Sequence, residues 1–373
     1  MANTRTGSER LRQAALVAVL VLLGVLVIVT TANAYVAKRT ESTLGEFDSG
    51  TFIYTGLLDL PDQDIDSVQL MPVGLAGDWD TANQMLPVRL ANLGAVASGN
   101  RIYVVGGSDS DQNARTEVYS YDVGPEGALS VPLTQTNSLP VGRVAAGTAV
   151  HDPDGASPTV YVVGGYGPDF YATDTILRAP INPATGEVGT WVEDGQALPR
   201  ALQSAPAVVH DDRLYVIGGW GGVDYNVALD KVHYAPIGAS GALGEFVETA
   251  PLPEPLYGGL AVVYEGEPTD TVYLIGGRNN ITSTYKVFFA DFLESGGLSP
   301  WTLSEGNLPV HLYGHSGVYL RGEIILTGGV ANSLNLSDGI SSTVKAALVD
   351  PDNPSFRLYD WCENAPPDCT IGA

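Results

Sequence analysis

Basic residues are scarce in this chain of 373: 18 Lys and Arg stand against 42 Asp and Glu, a formal charge of −24 at pH 7. Such a field repels phosphate backbones and excludes nucleic acid as a partner. Charge of either sign is thin, at 16%, while 45% of residues are hydrophobic, which excludes a chain without a packed core. Only two cysteines occur, Cys362 and Cys369, both in the last dozen residues. Two thiols do not complete a metal site. Outside the cytoplasm they are expected to pair as a disulfide that closes a short loop and pins the C-terminus. Beyond the first forty residues no segment sustains a 3.6-residue period, so no helical domain is expected. HExxH, GxSxG, P-loop and CxxC motifs are all missing, and no catalytic residue, cofactor or metal is assigned. Glycine, proline and tyrosine are present in quantity instead, at 44, 24 and 18 residues, and point to an all-β protein rich in turns.

The N-terminus sets the expected address. Arg5, Arg10 and Arg12 precede an uninterrupted apolar run, Ala14 to Val29, followed by Thr30, Thr31, Ala32, Asn33 and Ala34. Its length sits at the lower edge of what spans a bilayer, while Ala32-Asn33-Ala34 reads as a signal-peptide cleavage site. Length favours an uncleaved anchor. The chain then divides into a basic cytoplasmic tail (1–13), a transmembrane helix or signal peptide (14–35), a linker (36–50) and an extracytoplasmic domain (51–373). The arginines hold the first end inside, although Lys38 and Arg39 weaken the asymmetry. On either reading the domain is outside the cytoplasm, at the cell membrane or released from it.

A repeat runs through that domain. A strand-like run ending in Gly-Gly recurs five times, at Gly107, Gly165, Gly219, Gly277 and Gly329, with spacings of 52 to 58 residues. A Leu-Pro precedes each run: Leu86-Pro87, Leu139-Pro140, Leu198-Pro199, Leu252-Pro253 and Leu308-Pro309. Between the two signals lies a strand of small apolar residues, and after Gly-Gly a variable loop leads to a third strand. A fourth carries a large residue at a regular position: Trp79, Val131, Trp191, Phe246, Trp301 and Phe356. Each unit therefore reads as four short strands joined by tight turns. Such units arranged radially expose only short edges.

These residues resemble the kelch repeat, a β-propeller family marked by a double Gly, a following Tyr and a later Trp. The Tyr position falls on Tyr121 and Tyr234, with Phe289 in the fourth unit. The resemblance implies a six-bladed kelch-type β-propeller: residues 51–60, 67–73 and 77–79 supply the last three strands of a blade whose first strand is expected from residues 368–371, after Ala365-Pro366-Pro367 in the Leu-Pro place. The ring would close by joining N- and C-terminal strands, stapled by Cys362–Cys369. A five-bladed ring with flanking strands is the alternative. The radical copper site of one kelch branch needs a Cys beside a channel Tyr, and both cysteines here are terminal.

In a propeller of this kind the channel mouth is built from the starts of the first strands and the loops after Gly-Gly. Two of those loops alternate rings with acids and amides: Tyr166, Asp169, Phe170 and Tyr171, then Trp220, Asp224, Tyr225 and Asn226. Stacking on sugar faces and hydrogen bonds to hydroxyls need that mixture, and ordinary loop packing uses it too. LYGG (256–259) and LYGH (312–315) place Tyr257, Tyr313 and His315 near the mouth, together with Arg89 and Arg200. An Arg–Tyr–His set suits an acidic sugar or a modest proton transfer. His151 and His210, at equivalent strand ends, read as structural. Asp62-x-Asp64-x-Asp66 and Asp109-x-Asp111 resemble fragments of calcium loops; the first has Ser67 and Val73 where such a loop needs Gly and Glu, and both read as solvated turns. Asn280-Ile-Thr and Asn335-Leu-Ser are sequons with meaning only in a eukaryotic secretory pathway. The short basic N-terminus and single propeller point instead to a bacterial chain.

The expected function is a non-catalytic scaffold that binds a protein or carbohydrate partner at the cell surface. The alternative is a sugar-active enzyme, similar in fold to the kelch sialic-acid mutarotases.

Overall fold

A computed structural model describes residues 86–331 apart from 125–128, 154, 222–226, 267–268 and 321–322. It also describes the backbone of strands within 42–85 and 345–363. Residues 1–41, with the apolar N-terminal run, lie outside the described residues. Among those described there is no helix, and none long and apolar enough to cross a membrane.

The strands fall into six four-stranded antiparallel sheets in chain order. The first is β1 (Ser42–Phe47), β2 (Gly50–Gly56), β3 (Ser67–Pro72) and β4 (Asp80–Met85). The second is β5 (Gly94–Ser98), β6 (Arg101–Val105), β7 (Val118–Asp122) and β8 (Leu133–Thr134). The third is β9 (Gly147–His151), β10 (Thr159–Val163), β11 (Ile176–Pro180) and β12 (Val192–Glu193). The fourth joins β13 (Ala207–His210), β14 (Arg213–Ile217), β17 (Val232–Pro236) and β18 (Val247–Glu248), its second loop holding the small pair β15 (Trp220–Gly221) and β16 (Val227–Ala228). The fifth is β19 (Leu260–Tyr264), β20 (Thr271–Ile275), β21 (Val287–Asp291) and β22 (Thr302–Leu303). The last joins β24 (Ser316–Leu320), β25 (Glu323–Thr327), β27 (Lys345–Leu348) and β28 (Cys362–Glu363), flanked by the pair β23 (Leu312–Tyr313) and β26 (Val330–Ala331). This is the radial all-β architecture of a propeller. The second to fifth sheets are the blades described with their side chains.

The first strand of each sheet lies beside the first strand of the next, and β1 lies beside both β5 and β24. The sequence pattern places the first strand of the first sheet at residues 368–371 and starts the domain at residue 51. The position is filled by Ser42–Phe47, directly ahead of β2. Residues after Glu363 lie outside the described residues, as do Cys369 and the side chain of Cys362, so the expected disulfide is not described.

Period-2 alternation explains the core. The second strands are buried on both faces, as in Thr159–Val163 and Thr271–Ile275, because each blade packs against a neighbour on either side. Their central tyrosines reach across to the next blade. Tyr103 donates its hydroxyl to the Gly186 carbonyl at 3.1 Å, Tyr161 to Gly241 at 2.7 Å and Tyr215 to Gly296 at 2.9 Å. Burial raises all three phenols, that of Tyr103 to about 12. The tryptophans do similar work: Trp191 Nε1 donates to the Asn137 carbonyl at 3.1 Å and Trp301 Nε1 to Ala250 at 3.0 Å.

Register corrects two repeat assignments. Arg178 pairs with Val192, directly after Trp191, and Ser120 pairs with Leu133 in the same place, so the Trp position of the second sheet is Pro132 and not Val131. Phe356, the expected equivalent in the last sheet, lies outside the described residues. Tyr103 pairs with Ser120 as Tyr215 pairs with Tyr234. Tyr121 sits one residue further on and faces the other side of its blade.

Candidate functional site

The Gly-Gly turns build the mouth. A Cβ on Gly106 would come within 2.5 Å of the Arg143 carbonyl, and one on Gly164 or Gly276 equally close to Leu202 or Leu312. The second glycine of each pair donates to that same carbonyl of the next blade's loop, at 2.8 to 2.9 Å for Gly107, Gly165, Gly219 and Gly277. Glycine is required because the two backbones touch.

Two residues further along each of these loops, the chain turns left-handed. Asn92, Ala145, Ser204, Gly258 and Gly314 all have φ between 51° and 63°. They are linked in series: Ala145 N–H donates to the Asn92 carbonyl at 2.9 Å, Ser204 to Ala145 at 2.7 Å, Gly258 to Ser204 at 2.8 Å and Gly314 to Gly258 at 2.7 Å. Backbone from five successive blades thus forms one hydrogen-bonded neck at the Gly-Gly end of the channel.

The side chains around that neck come from two equivalent sets. The residue before each left-handed position pairs with the residue after Gly-Gly: Ala91 with Ser108, Val144 with Tyr166, Gln203 with Trp220, Tyr257 with Arg278 and Tyr313 with Val330. On this rim Trp220 leans over Tyr257 with ring centroids 4.7 Å apart, and the Arg278 guanidinium lies 5.3 Å from the Tyr313 ring. Arg278 Nη1 also donates to the Tyr313 hydroxyl at 3.5 Å. Burial raises the Tyr313 phenol, with Arg278 opposing, and lifts Tyr166 to about 12. Among the described residues the rim therefore offers aromatic faces and the Arg278 cation.

The expected site residues scatter around it. Trp220, Tyr257 and Tyr313 come together. Tyr166 lines the same rim in the preceding blade, stacked with Phe170 at 6.0 Å. Asp169 is committed locally, accepting the Tyr171 N–H at 3.2 Å, while Tyr171 projects 74% exposed. His315 is only 3% exposed and lies against Gly276 and Gly329, beneath the Gly-Gly turns. Arg89 and Arg200 are exposed, and the charge of Arg200 is felt at Lys231 and His233. Asp224 and Tyr225 lie outside the described residues. Arg278 escaped the sequence reading, although it follows Gly-Gly just as Tyr166 and Trp220 do.

Arg143 was also missed. It occupies the place that Leu90, Leu202, Leu256 and Leu312 hold in the other loops, and it is 6% exposed. Its Nη2 donates to Thr175 Oγ1 at 2.6 Å, while Nε is buried without a partner among the described residues.

Other candidates resolve as structure. Asp109 accepts the N–H groups of Asp111 and Asn113 at 3.0 and 2.9 Å and a hydrogen bond from Arg115 Nη1 at 3.1 Å. Its carboxylate is occupied by its own loop. Asp62, Asp64 and Asp66 lie outside the described residues, among which no cluster of three His, Cys, Asp or Glu could hold a metal. At the far end of the channel His151 Nε2 lies 2.7 Å from Asp212 Oδ1 of the next blade. His210 lies 3.3 Å from Asp270 in the following one, its ring stacked on Phe292 at 3.9 Å. Asn280 Oδ1 accepts the Ala228 N–H at 2.8 Å, tying two adjacent loops.

The kelch motif family matches residues 89–124 and 202–234, the first three strands and Gly-Gly turns of the second and fourth sheets. The chain carries kelch motifs on a β-propeller fold. A solved structure titled "Structure of YjhT" shares the fold. It is 14% identical with a TM-score of 0.64, over 86% of this chain and 97% of that one. No curated protein matches the sequence.

Proposed function

We propose that this kelch propeller is a non-catalytic binding module, closed as a six-bladed ring and held outside the cytoplasm by residues 14–35. It takes a protein or carbohydrate partner at the cell surface through its Gly-Gly face. Six four-stranded sheets, with β1 beside both β5 and β24, support the blade count. The observation that carries the function is the open character of that face: Phe170, Tyr171 and Ile281 stand 60%, 74% and 78% exposed around the rim of Trp220 and Tyr257. Exposed apolar groups on a polar protein mark an interaction surface. A glycan-array screen of the full chain, alongside Trp220→Ala, tests it. Binding that disappears in the variant supports the mouth as the site, and unchanged binding moves the site elsewhere.

The Arg278–Tyr313 pair supports a second reading, a sugar-active enzyme of the sialic-acid mutarotase kind. A cation beside a phenol can orient an acidic sugar and assist proton transfer. Exchange between anomers of sialic acid, followed by NMR, separates the readings: acceleration that Tyr313→Phe abolishes would favour the enzyme.

A further inference from the structure

The register of β1 fixes the face from which the N-terminal chain departs. Ser42 pairs with Thr55 at the end of β2. Gly94 pairs in the same way with Val105, just before Gly106, and Gly147 with Val163, just before Gly164. The chain ahead of Ser42 therefore leaves from the Gly-Gly face. Twelve residues, 30–41, separate Ser42 from the apolar run ending at Val29. A relaxed linker of that length spans roughly 20 Å, and a fully extended one about 40 Å. Whatever surface holds residues 14–29, this face is the one kept near it.

The same face presents Phe170, Tyr171 and Ile281, and it does so deliberately. Phe170 is held left-handed at φ 62°, a conformation disfavoured for a bulky side chain, in a turn closed by its N–H to the Gly167 carbonyl at 3.0 Å. The equivalent turn of the preceding blade has the same shape, closed by Gln112 N–H to Asp109 at 3.0 Å, with Gln112 at φ 64°. The backbone accepts a polar residue there, so the turn itself does not call for an aromatic. The turns after the first strands at the far end carry exposed acids, among them Asp152, Asp211 and Asp212, while the Gly-Gly loops expose Asp111 and Asp169 beside their apolar tips.

We propose that the Gly-Gly face rests on the outer surface of the bilayer that holds residues 14–29, with Phe170, Tyr171 and Ile281 seated at headgroup level. Aromatic and aliphatic tips are stable in that layer. The formal charge of −24 selects a zwitterionic surface over an anionic one. This inference rests on the anchored reading above and narrows it: a partner reached by Trp220 and Tyr257 is one displayed in the plane of the membrane.

The test reconstitutes the full chain in phosphatidylcholine vesicles, with the photoreactive residue benzoylphenylalanine in place of Tyr171 or, separately, of Glu265 at the far end. Both positions are exposed, and circular dichroism verifies folding. Lipid adducts at least tenfold more abundant from position 171 than from 265 are expected. Equal yields from a chain that resists carbonate extraction overturn the orientation and leave the anchor standing. A chain released by carbonate overturns both.

Discussion

The Ser204 amide donates to the Ala145 carbonyl at 2.7 Å, joining two blades through residues that are both left-handed without being glycine. The neck they belong to tolerates side chains but not crowding, and this separates two kinds of glycine. A Cβ on Gly258 would find its nearest neighbour, Gly314 N, at 3.7 Å, whereas one on Gly164 would strike the Leu202 carbonyl at 2.5 Å. Gly258→Ala is expected to cost about 1 kcal/mol, the conformational penalty alone. Gly164→Ala should cost at least twice that, read by urea denaturation. Equal costs would show that the neck, and not the Gly-Gly contact, sets the spacing of the blades.

Arg143 breaks a run of leucines at the cost of a buried, partly unsatisfied guanidinium. Burial lowers its pKa, with Glu193 and Asp169 opposing. Replacing a buried ion with a well-packed apolar residue is often stabilising by about 1–4 kcal/mol. Arg143→Leu is therefore expected to raise the thermal midpoint. A fall would mean that the 2.6 Å bond to Thr175 outweighs desolvation.

The interblade tyrosine bonds should be directly measurable. Tyr161→Phe leaves the Gly241 carbonyl without its donor, and Tyr215→Phe does the same to Gly296. Each is expected to cost about 1–3 kcal/mol in chemical denaturation. A loss below about 0.5 kcal/mol in both would show that the rings, and not their hydroxyls, hold the blades together.

Acid sensitivity should gather at Arg115, which pairs with both Asp109 and Glu117. Burial pushes both carboxyls up, but hydrogen bonds outweigh it: from Asn113 and Arg115 at Asp109, and from Arg115 at Glu117. Asp109 is held below its ordinary 3.8 and Glu117 below its ordinary 4.5. Depressed folded values mean stability that is fully present above the unfolded values and lost as pH falls through the folded ones. Arg115→Gln should lose up to about 1 kcal/mol at pH 7 and show a shallower decline below pH 4.5, measured by melting at stepped pH. An unchanged slope would place the acid response elsewhere.

The repeat was legible because its signal is steric. Gly106 and Gly164 have no alternative residue, so their period survives in the sequence, and with it the strands and the blades. Positions set by register were harder to read. Tyr121 and Val131 lie nearly in phase, yet a one-residue offset removes each from the place it resembles. At the rim, Tyr257 and Tyr313 were found by their repeated LYG context. Arg278 and Arg143 were not, because each departs from its repeat, and departures show only once equivalent positions are aligned by hydrogen bonding.

The Tyr161–Gly241 bond reaches 80 residues down the chain, and its counterparts at Tyr103 and Tyr215 reach 83 and 81. None of these three blades can finish its own interior until most of the following one exists. At about 5–20 residues per second, a ribosome needs roughly 4–16 s to deliver that missing partner. During synthesis, then, a half-satisfied blade is always waiting at the growing end, with its tyrosine hydroxyl still open to water or to a chaperone.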